Sequence, residues 1–306
     1  MSKIPSAAKH YDKKNWKDYA MSYVMILPAM IFFGLFCLYP LGNLFYLSFF
    51  RGNVRNPFKS FQGLQNYIDL FTMRPDFVPA LYHTAYYTVV VLVLLIVLSV
   101  LCAVWLKKGR KIDHFAQSVI FPPHLVASIS CAFVWSWMFS SESYGLFNTI
   151  LNALGIKTVR WLQQTSTAMN CVIVMNVWKN IGYYSLIIMS ALRSIPTEIY
   201  EAADLDSASP VKQFFKITLP LISPQLFFLL ITITTGSFMV FDSIRVMTAG
   251  GPGDATQVIC TWIYEYAFQN NNSLGLAAAG GIVLLVILVI ITLLDFRGIE
   301  KKVHYQ

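Results

Sequence analysis

Polar and apolar positions in this chain are segregated into long blocks, not arranged along helical faces or strands. Tyr19–Phe50 contains no charged residue, ample for a span of about 20 residues. Five more apolar blocks follow at Leu81–Leu106, Val119–Phe139, Ala168–Leu192, Leu219–Phe241 and Leu274–Leu294. Pro28 and Pro40 in the first block, and Pro122-Pro123 at the start of the third, predict kinks or boundaries there. Trp105, Trp135 and Trp137 lie where aromatic belts meet the membrane surface. The pattern predicts an all-α membrane protein with six spans over residues 19–297, between a basic tail at 1–18 and a short tail at 298–306.

Composition agrees: 56% of the 306 residues are hydrophobic and 12% charged, against about 25% charged in soluble domains. The net charge of +8 is explained by topology, so no nucleic-acid partner is expected. Of 23 Lys and Arg, fifteen fall in the N-terminal tail, loop 107–116, loop 193–218 and the C-terminal tail. The intervening loops hold seven (Arg51, Arg55, Lys59, Arg74, Lys157, Arg160, Arg245), and Lys179 lies inside a span. The positive-inside rule then places both termini in the cytoplasm. Five cysteines show no paired spacing and read as small apolar residues, not disulfides or metal ligands. No cleavable signal peptide is expected, because the first apolar block follows a polar segment and is long enough to span.

One polar stretch stands out, Pro196–Pro224, on the expected cytoplasmic side. Pro196 suits a helix start. Glu198 and Glu201 lie near the N-terminal end of good helix formers running to Leu205. Ser209-Pro210 offers a second cap and start for a short helix over Val211–Ile217. Ala202 and Ala203 leave a small-residue surface that another backbone can approach; on pattern alone the stretch also reads as a solvated loop.

Glu201-Ala202-Ala203, then Asp206-Ser207, then Ile217-x-Leu219-Pro220, resembles the EAA loop of ABC importer permeases, which reads E-A-A, three residues, G, about nine residues, I-x-L-P. The family's glycine falls on Ser207, so serine pays if that position needs positive φ. Phe61-x-Gly63-Leu64-x-Asn66-Tyr67, Phe77-x-x-Ala80-Leu81 and Thr84, with His83 where the family has asparagine, are similar to sugar-uptake permeases. So are Thr248-Ala249-Gly250-Gly251-Pro252 and the small residues from Gly275 to Ala279. The resemblance runs from about Tyr23 to Arg297 and points to the maltose-type, binding-protein-dependent branch.

It implies a type I importer permease in a prokaryotic cell membrane, in contact with lipid and sugar. Its partners would be a second homologous permease, two ATP-binding subunits and an extracellular solute-binding protein. Loop 196–218 would be the coupling loop to the ATPase, through Glu201, Ala202, Ala203, Asp206, Ser207, Leu219 and Pro220. ATP and Mg would belong to the partner subunits. This chain has no G-x-x-x-x-G-K-[ST] loop, no H-E-x-x-H, no G-x-S-x-G and no Cys/His cluster, so neither a catalytic residue nor a bound metal or cofactor is expected in it. A permease for a polyol, glycerol phosphate or acidic sugar is the near alternative. A secondary transporter is a more distant one, lacking intramembrane carboxylates for a coupling ion.

The fourth block carries the polar residues a sugar needs: rings to stack on and amides to bond hydroxyls. Asn176, Lys179, Asn180 and Tyr183 share one helical face. The family alignment to Ile195-Pro196 implies Asn176, Trp178, Lys179, Asn180 and Tyr183 as sugar-site residues, and Ser237 by position on the fifth block. Trp178 and Tyr183 also read as packing residues. Lys179 sits about 16 Å from either boundary, where a charge costs about 2.5–3.5 kcal/mol. It is expected to meet an acidic group or hydroxyl cluster on a solute, or a carboxylate or carbonyl of a partner subunit. The hydroxyls at Thr232, Thr234 and Thr235 read as back-bonded to their own helix, and Asp242 and Arg245, at the outer end of the fifth span, as a pair or a gate weakened by exposure.

Overall fold

The structure is a computed structural model, and it describes residues 16–269 and 273–298. The basic cluster Lys3, Lys9, Lys13 and Lys14 and the tail cations Lys301 and Lys302 lie outside them. Helix α1 (Trp16–Phe33) passes through a π-helical turn at Gly34–Leu38 into α2 (Tyr39–Leu47). Pro28 lies inside α1, and Pro40 sits in the first turn of α2. Together they give one 29-residue span, Tyr19–Leu47, in which Leu47 at the end is the one buried residue. A two-stranded hairpin follows, β1 (Phe50–Arg51) antiparallel to β2 (Ser60–Phe61), then the short α3 (Gln65–Thr72).

Helix α4 (Phe77–Leu106) is the second span. The third is broken: α5 (Lys111–Ile120) and α6 (Pro122–Leu125) meet α7 (Ser128–Met138) at 105°. The break does not fall at Pro122-Pro123, which start α6. It falls at Val126 and Ala127, both extended at ψ 139° and 135°. After α8 (Leu146–Ala153), α9 (Ala168–Arg193) forms the fourth span. Next come α10 (Thr197–Leu205), α11 (Pro210–Gln213), a π turn at Phe214–Thr218 and α12 (Leu219–Leu221). The fifth span is thus also bent, by 67°, where Pro210–Leu221 meets α13 (Ser223–Phe238). α14 (Asp242–Met247) and α15 (Ile259–Phe268) lead into α16 (Leu274–Gly298), the sixth span. Among the described residues four helices are long and apolar enough to cross a membrane, and six spans result when each bent pair counts as one.

Two apolar clusters hold these helices. The larger runs along α4, α9 and α13, around Tyr87, Val91, Leu95, Val172, Ile188 and Ile233. The smaller joins α3, α4, α15 and α16 around Leu70, Phe77, Trp262 and Ala279. The small residues of α16 do what their size allows: Ala277, Ala278 and Ala279 are buried, and a Cβ on Gly280 would press on the Trp262 ring. Gly182 plays the same part on α9, where an added Cβ would run into the Ile120 carbonyl of α5.

Gly182→Val is therefore expected to destabilise the protein by about 1–3 kcal/mol through overpacking. Gly236→Ala, at a helical glycine with open space around it, should be neutral or slightly stabilising. Thermal unfolding midpoints of the two variants in detergent check the pair.

Candidate coupling loop and solute site

Pro196 is extended (ψ 139°) and caps α10 from outside, so the helix begins at Thr197. Asp206 closes it, and Ser207 turns the chain with φ +52°. The Ala208 N–H reaches back to the Ala203 carbonyl at 2.9 Å, and the Ser207 N–H to that of Asp204, also at 2.9 Å. This is a Schellman closure, in which the left-handed residue is ordinarily glycine. The sequence expectation for Ser207 is met, and the serine pays a backbone strain that glycine would avoid. Ser209 then caps α11, its hydroxyl accepting from the Lys212 N–H at 3.4 Å. The Gln213 amide donates to the Asp204 carboxylate at 2.6 Å and the Ala208 carbonyl at 3.0 Å, tying α11 to α10.

The turn presents Glu201, Ala202, Asp206 and Ser207 to the outside, while Ala203 is buried against the rest of the protein. Leu219 and Pro220 are half-buried where the loop rejoins the bundle. Leu205, Val211 and Phe215 are 89%, 66% and 60% exposed. That apolar rim goes beyond the motif positions; an apolar Leu205 between two aspartates was its visible signal. Tyr200 anchors the other side, its hydroxyl 2.9 Å from that of Thr218 and its ring 4.6 Å beneath the Lys107 ammonium.

Within the spans, α9 brings Asn176, Lys179, Asn180 and Tyr183 to one face, and three of the four converge on His124 of α6. The buried Lys179 ammonium donates to the His124 carbonyl at 3.0 Å. His124 Nδ1 lies 3.0 Å from Asn180 Oδ1; an amide oxygen only accepts, so Nδ1 carries the proton. The imidazole stacks flat on the Tyr183 ring, with centroids 4.1 Å apart and planes within 4°. Asn180 Nδ2 in turn donates to the Asn176 carbonyl at 2.9 Å.

His124 is the residue that sequence reading passed over. Its only signal was its place beside Pro122-Pro123, and its partners lie on another helix. The carbonyl it contributes belongs to the last turn of α6, just before the break, where helical partners run out. A cation there satisfies the carbonyl and the helix dipole together. Lys179 therefore meets a carbonyl, as one expectation had it, but a carbonyl of its own chain.

Two small cavities flank this cluster. One, of about 180 Å³, is lined by Ser128, Asn176, Lys179, Gly236, Asp242 and Ser243. The other, of about 170 Å³, is lined by Leu95, Asn176, Asn180, Tyr184, Ile233 and Ser237 among others. Asn176, Lys179, Asn180 and Ser237 are thus brought together, whereas Trp178 and Tyr183 line neither cavity. Trp178 is 43% exposed and packs on Trp135 at 5.3 Å between ring centroids. Thr232 bonds back to the Phe228 carbonyl at 2.8 Å, as expected. Arg245 pairs with Glu265 at 3.8 Å and lies over Tyr264, not with Asp242, which faces the Lys179 cavity. Asp242 and Arg245 both lie on α14, and Arg245 reaches across to Glu265 and Tyr264 of α15.

His83 directs its ring nitrogen to the Gln257 carbonyl at 3.1 Å, and the Thr84 hydroxyl accepts from the Ile259 N–H at 2.9 Å. The start of α4 is thereby fastened to the start of α15, the polar role expected of a helix-start histidine. The Thr248–Pro252 turn is closed by Thr256, whose hydroxyl reaches both Thr248 and the Gly251 carbonyl at 2.7 Å.

Ser207→Gly should raise stability by roughly 0.5–1 kcal/mol by removing the left-handed strain, and Ser207→Val should lower it. Thermal unfolding of both variants against the parent checks the sign.

Residues 95–303 match the family model described as "Binding-protein-dependent transport system inner membrane component". The chain is 34% identical to the probable ABC transporter permease protein YurN of Bacillus subtilis, over 90% of this chain and 94% of that one. It is 33% identical to the trehalose/maltose transport system permease protein MalF of Thermococcus litoralis, over 95% and 96%. Among solved structures it superposes with a TM-score of 0.81 and 26% identity on a chain of a bacterial alginate ABC transporter in complex with an alginate pentasaccharide-bound periplasmic protein, covering 92% of this chain and 96% of that one. With six apolar spans, a broken third and fifth helix and an exposed E-A-A turn, the chain belongs to the binding-protein-dependent inner membrane permeases of ABC importers.

Proposed function

We propose that this protein is the permease subunit through which an ATP-driven importer passes a saccharide across a prokaryotic cell membrane. The observation that carries the coupling half of this reading is the α10–α11 turn. Its closure is rigid, and it offers a carboxylate (Glu201), a small-residue face (Ala202) and three exposed apolar side chains (Leu205, Val211, Phe215). An exposed apolar rim around one charge suits docking to another protein better than solvation. Both termini and this turn lie on the cytoplasmic side, where ATP-binding subunits carrying ATP and Mg bind it. ATP-driven closure of two such subunits moves the turn and, through α9 and the bent third and fifth spans, switches the bundle between inward- and outward-facing states.

A second, homologous permease completes the path. Tyr19–Leu47 supports this, because a helix with no buried residue before Leu47 leaves most of its surface for lipid and a neighbour. An external solute-binding protein delivers the cargo. Asn176, Asn180, Lys179 and Ser237 supply the polar wall of the path, and amides and hydroxyls of this kind recognise sugar hydroxyls.

A second reading of the cargo, an acidic saccharide, is favoured by one observation: the Lys179 ammonium lines a cavity while donating to only one carbonyl. An ammonium has three donors, so a carboxylate or a hydroxyl cluster can share it.

Two outcomes are expected in reconstituted vesicles. Glu201→Lys should insert normally but abolish the stimulation of ATP hydrolysis by the loaded binding protein; wild-type stimulation would remove Glu201 from the docking surface. Lys179→Leu should cut uptake at least about tenfold for an acidic oligosaccharide and less for a neutral one. Equal, unaltered uptake of both would remove Lys179 from the solute path.

A further inference from the structure

The hairpin, α3 and the start of α16 enclose a polar cavity of about 270 Å³ that no part of the transport path uses. Arg51, Gln62, Gln65, Asp69, Arg74 and Ser273 line it. Its floor is built tightly. The Asn66 amide donates to the Ser48 and Phe50 carbonyls at 2.7 and 2.9 Å, and the Leu274 N–H donates to the Gly52 carbonyl at 2.9 Å. Gly275 lies so close to the Phe50 carbonyl that a Cβ would collide with it. The hairpin is thus bolted to the last span, and the cavity keeps its shape.

Arg74 is held as firmly. Its guanidinium lies over the Tyr266 ring at 5.1 Å, and that ring is fixed by its hydroxyl, which donates to Asp76 Oδ2 at 2.8 Å, as does Trp262 Nε1. Asp69 in the cavity and Asp76 beside Tyr266 offset the two arginines in part, but neither forms an ion pair with them. Among the described residues the ion pairs are Arg110–Asp113 and Arg245–Glu265, and neither Arg51 nor Arg74 takes part in one. Arg74 Nε is buried with no hydrogen-bond partner. Asp69, the one acid lining the cavity, accepts instead from the Gln65 amide at 2.8 Å. The surrounding stretch adds Arg55 and Lys59, so the potential here is positive. Two guanidiniums facing one cavity repel each other, and an anion taken between them relieves that cost.

We propose that this cavity is a socket for an acidic side chain of the external solute-binding protein, taken between Arg51 and Arg74. This rests on the importer reading above, which puts the hairpin on the outer face. The planar guanidinium forks suit a carboxylate, which they can grip with two parallel hydrogen bonds. The transported solute is a poor occupant, because the socket is built on the α3, α15 and α16 cluster, away from the cavities along α9 and α13. A docked partner on the outer face reaches it directly, and complementary charge there would set orientation and speed encounter.

The test uses the complete importer in nanodiscs of phosphatidylcholine alone, with its solute-loaded binding protein as the probe. Arg51→Gln with Arg74→Gln should weaken binding at least about tenfold, equivalent to about 1.4 kcal/mol, and flatten its salt dependence. Basal ATP hydrolysis and the thermal midpoint should not change. Charge reversal at both arginines should be rescued by one acid-to-lysine substitution on the binding protein. Unchanged affinity and salt dependence in the glutamine variant overturn the socket and leave the importer reading intact. So does wild-type affinity in phosphatidylcholine with a loss seen only when phosphatidylglycerol is added, which would assign the arginines to lipid phosphate. Absence of binding to the wild-type importer would overturn the importer reading itself, and the socket with it.

Discussion

A peptide carbonyl released inside a membrane has no water to turn to, and leaving it bare costs several kcal/mol. The third span releases such groups by breaking at Val126 and Ala127. The Lys179 ammonium answers for the His124 carbonyl at 3.0 Å. The exchange is mutual, because a buried ammonium needs an acceptor as much as an orphan carbonyl needs a donor. This one contact ties the bend of the third span to the polar face of α9.

From it the site grows outward. His124 is fixed by stacking on Tyr183 and by its bond to Asn180, and Asn180 is fixed by Asn176. Gly182 brings α5 against α9 closely enough for these bonds to form. The result couples two spans through polar contacts inside an otherwise apolar bundle, beside cavities of the size of a few water molecules. Such a network is strong where every member is satisfied. It also gives the bent span two candidate fixed points, the break itself and the Gly182 crossing, about which a larger movement can be organised.

The α10–α11 turn solves a different problem by similar means. A polar loop between two spans has little buried apolar surface with which to hold its shape. The Schellman closure at Ser207, the Ser209 cap and the Gln213 bridge to Asp204 use local hydrogen bonds to stiffen a segment with little core of its own. The buried Ala203 and the Tyr200–Thr218 contact then join it to the spans.

The amino-acid sequence by itself determined the class, the apolar blocks and the E-A-A turn. Long uncharged blocks need only composition to be recognised, and the E-A-A pattern marked Ser207 as the place where a positive φ would carry a strain, which the structure then showed. The sharing of one face by Asn176, Lys179, Asn180 and Tyr183 followed from helical periodicity. Tertiary structure alone decided what those side chains meet. His124 is 55 residues from Lys179, and no local pattern links them. Arg245 pairs with Glu265 on α15, not with its near neighbour Asp242 on its own helix. Trp178 faces outward onto Trp135, away from both cavities, although its residue type suits a sugar. Periodicity fixes which residues share a face, whereas the partner of each face is set by packing between distant spans.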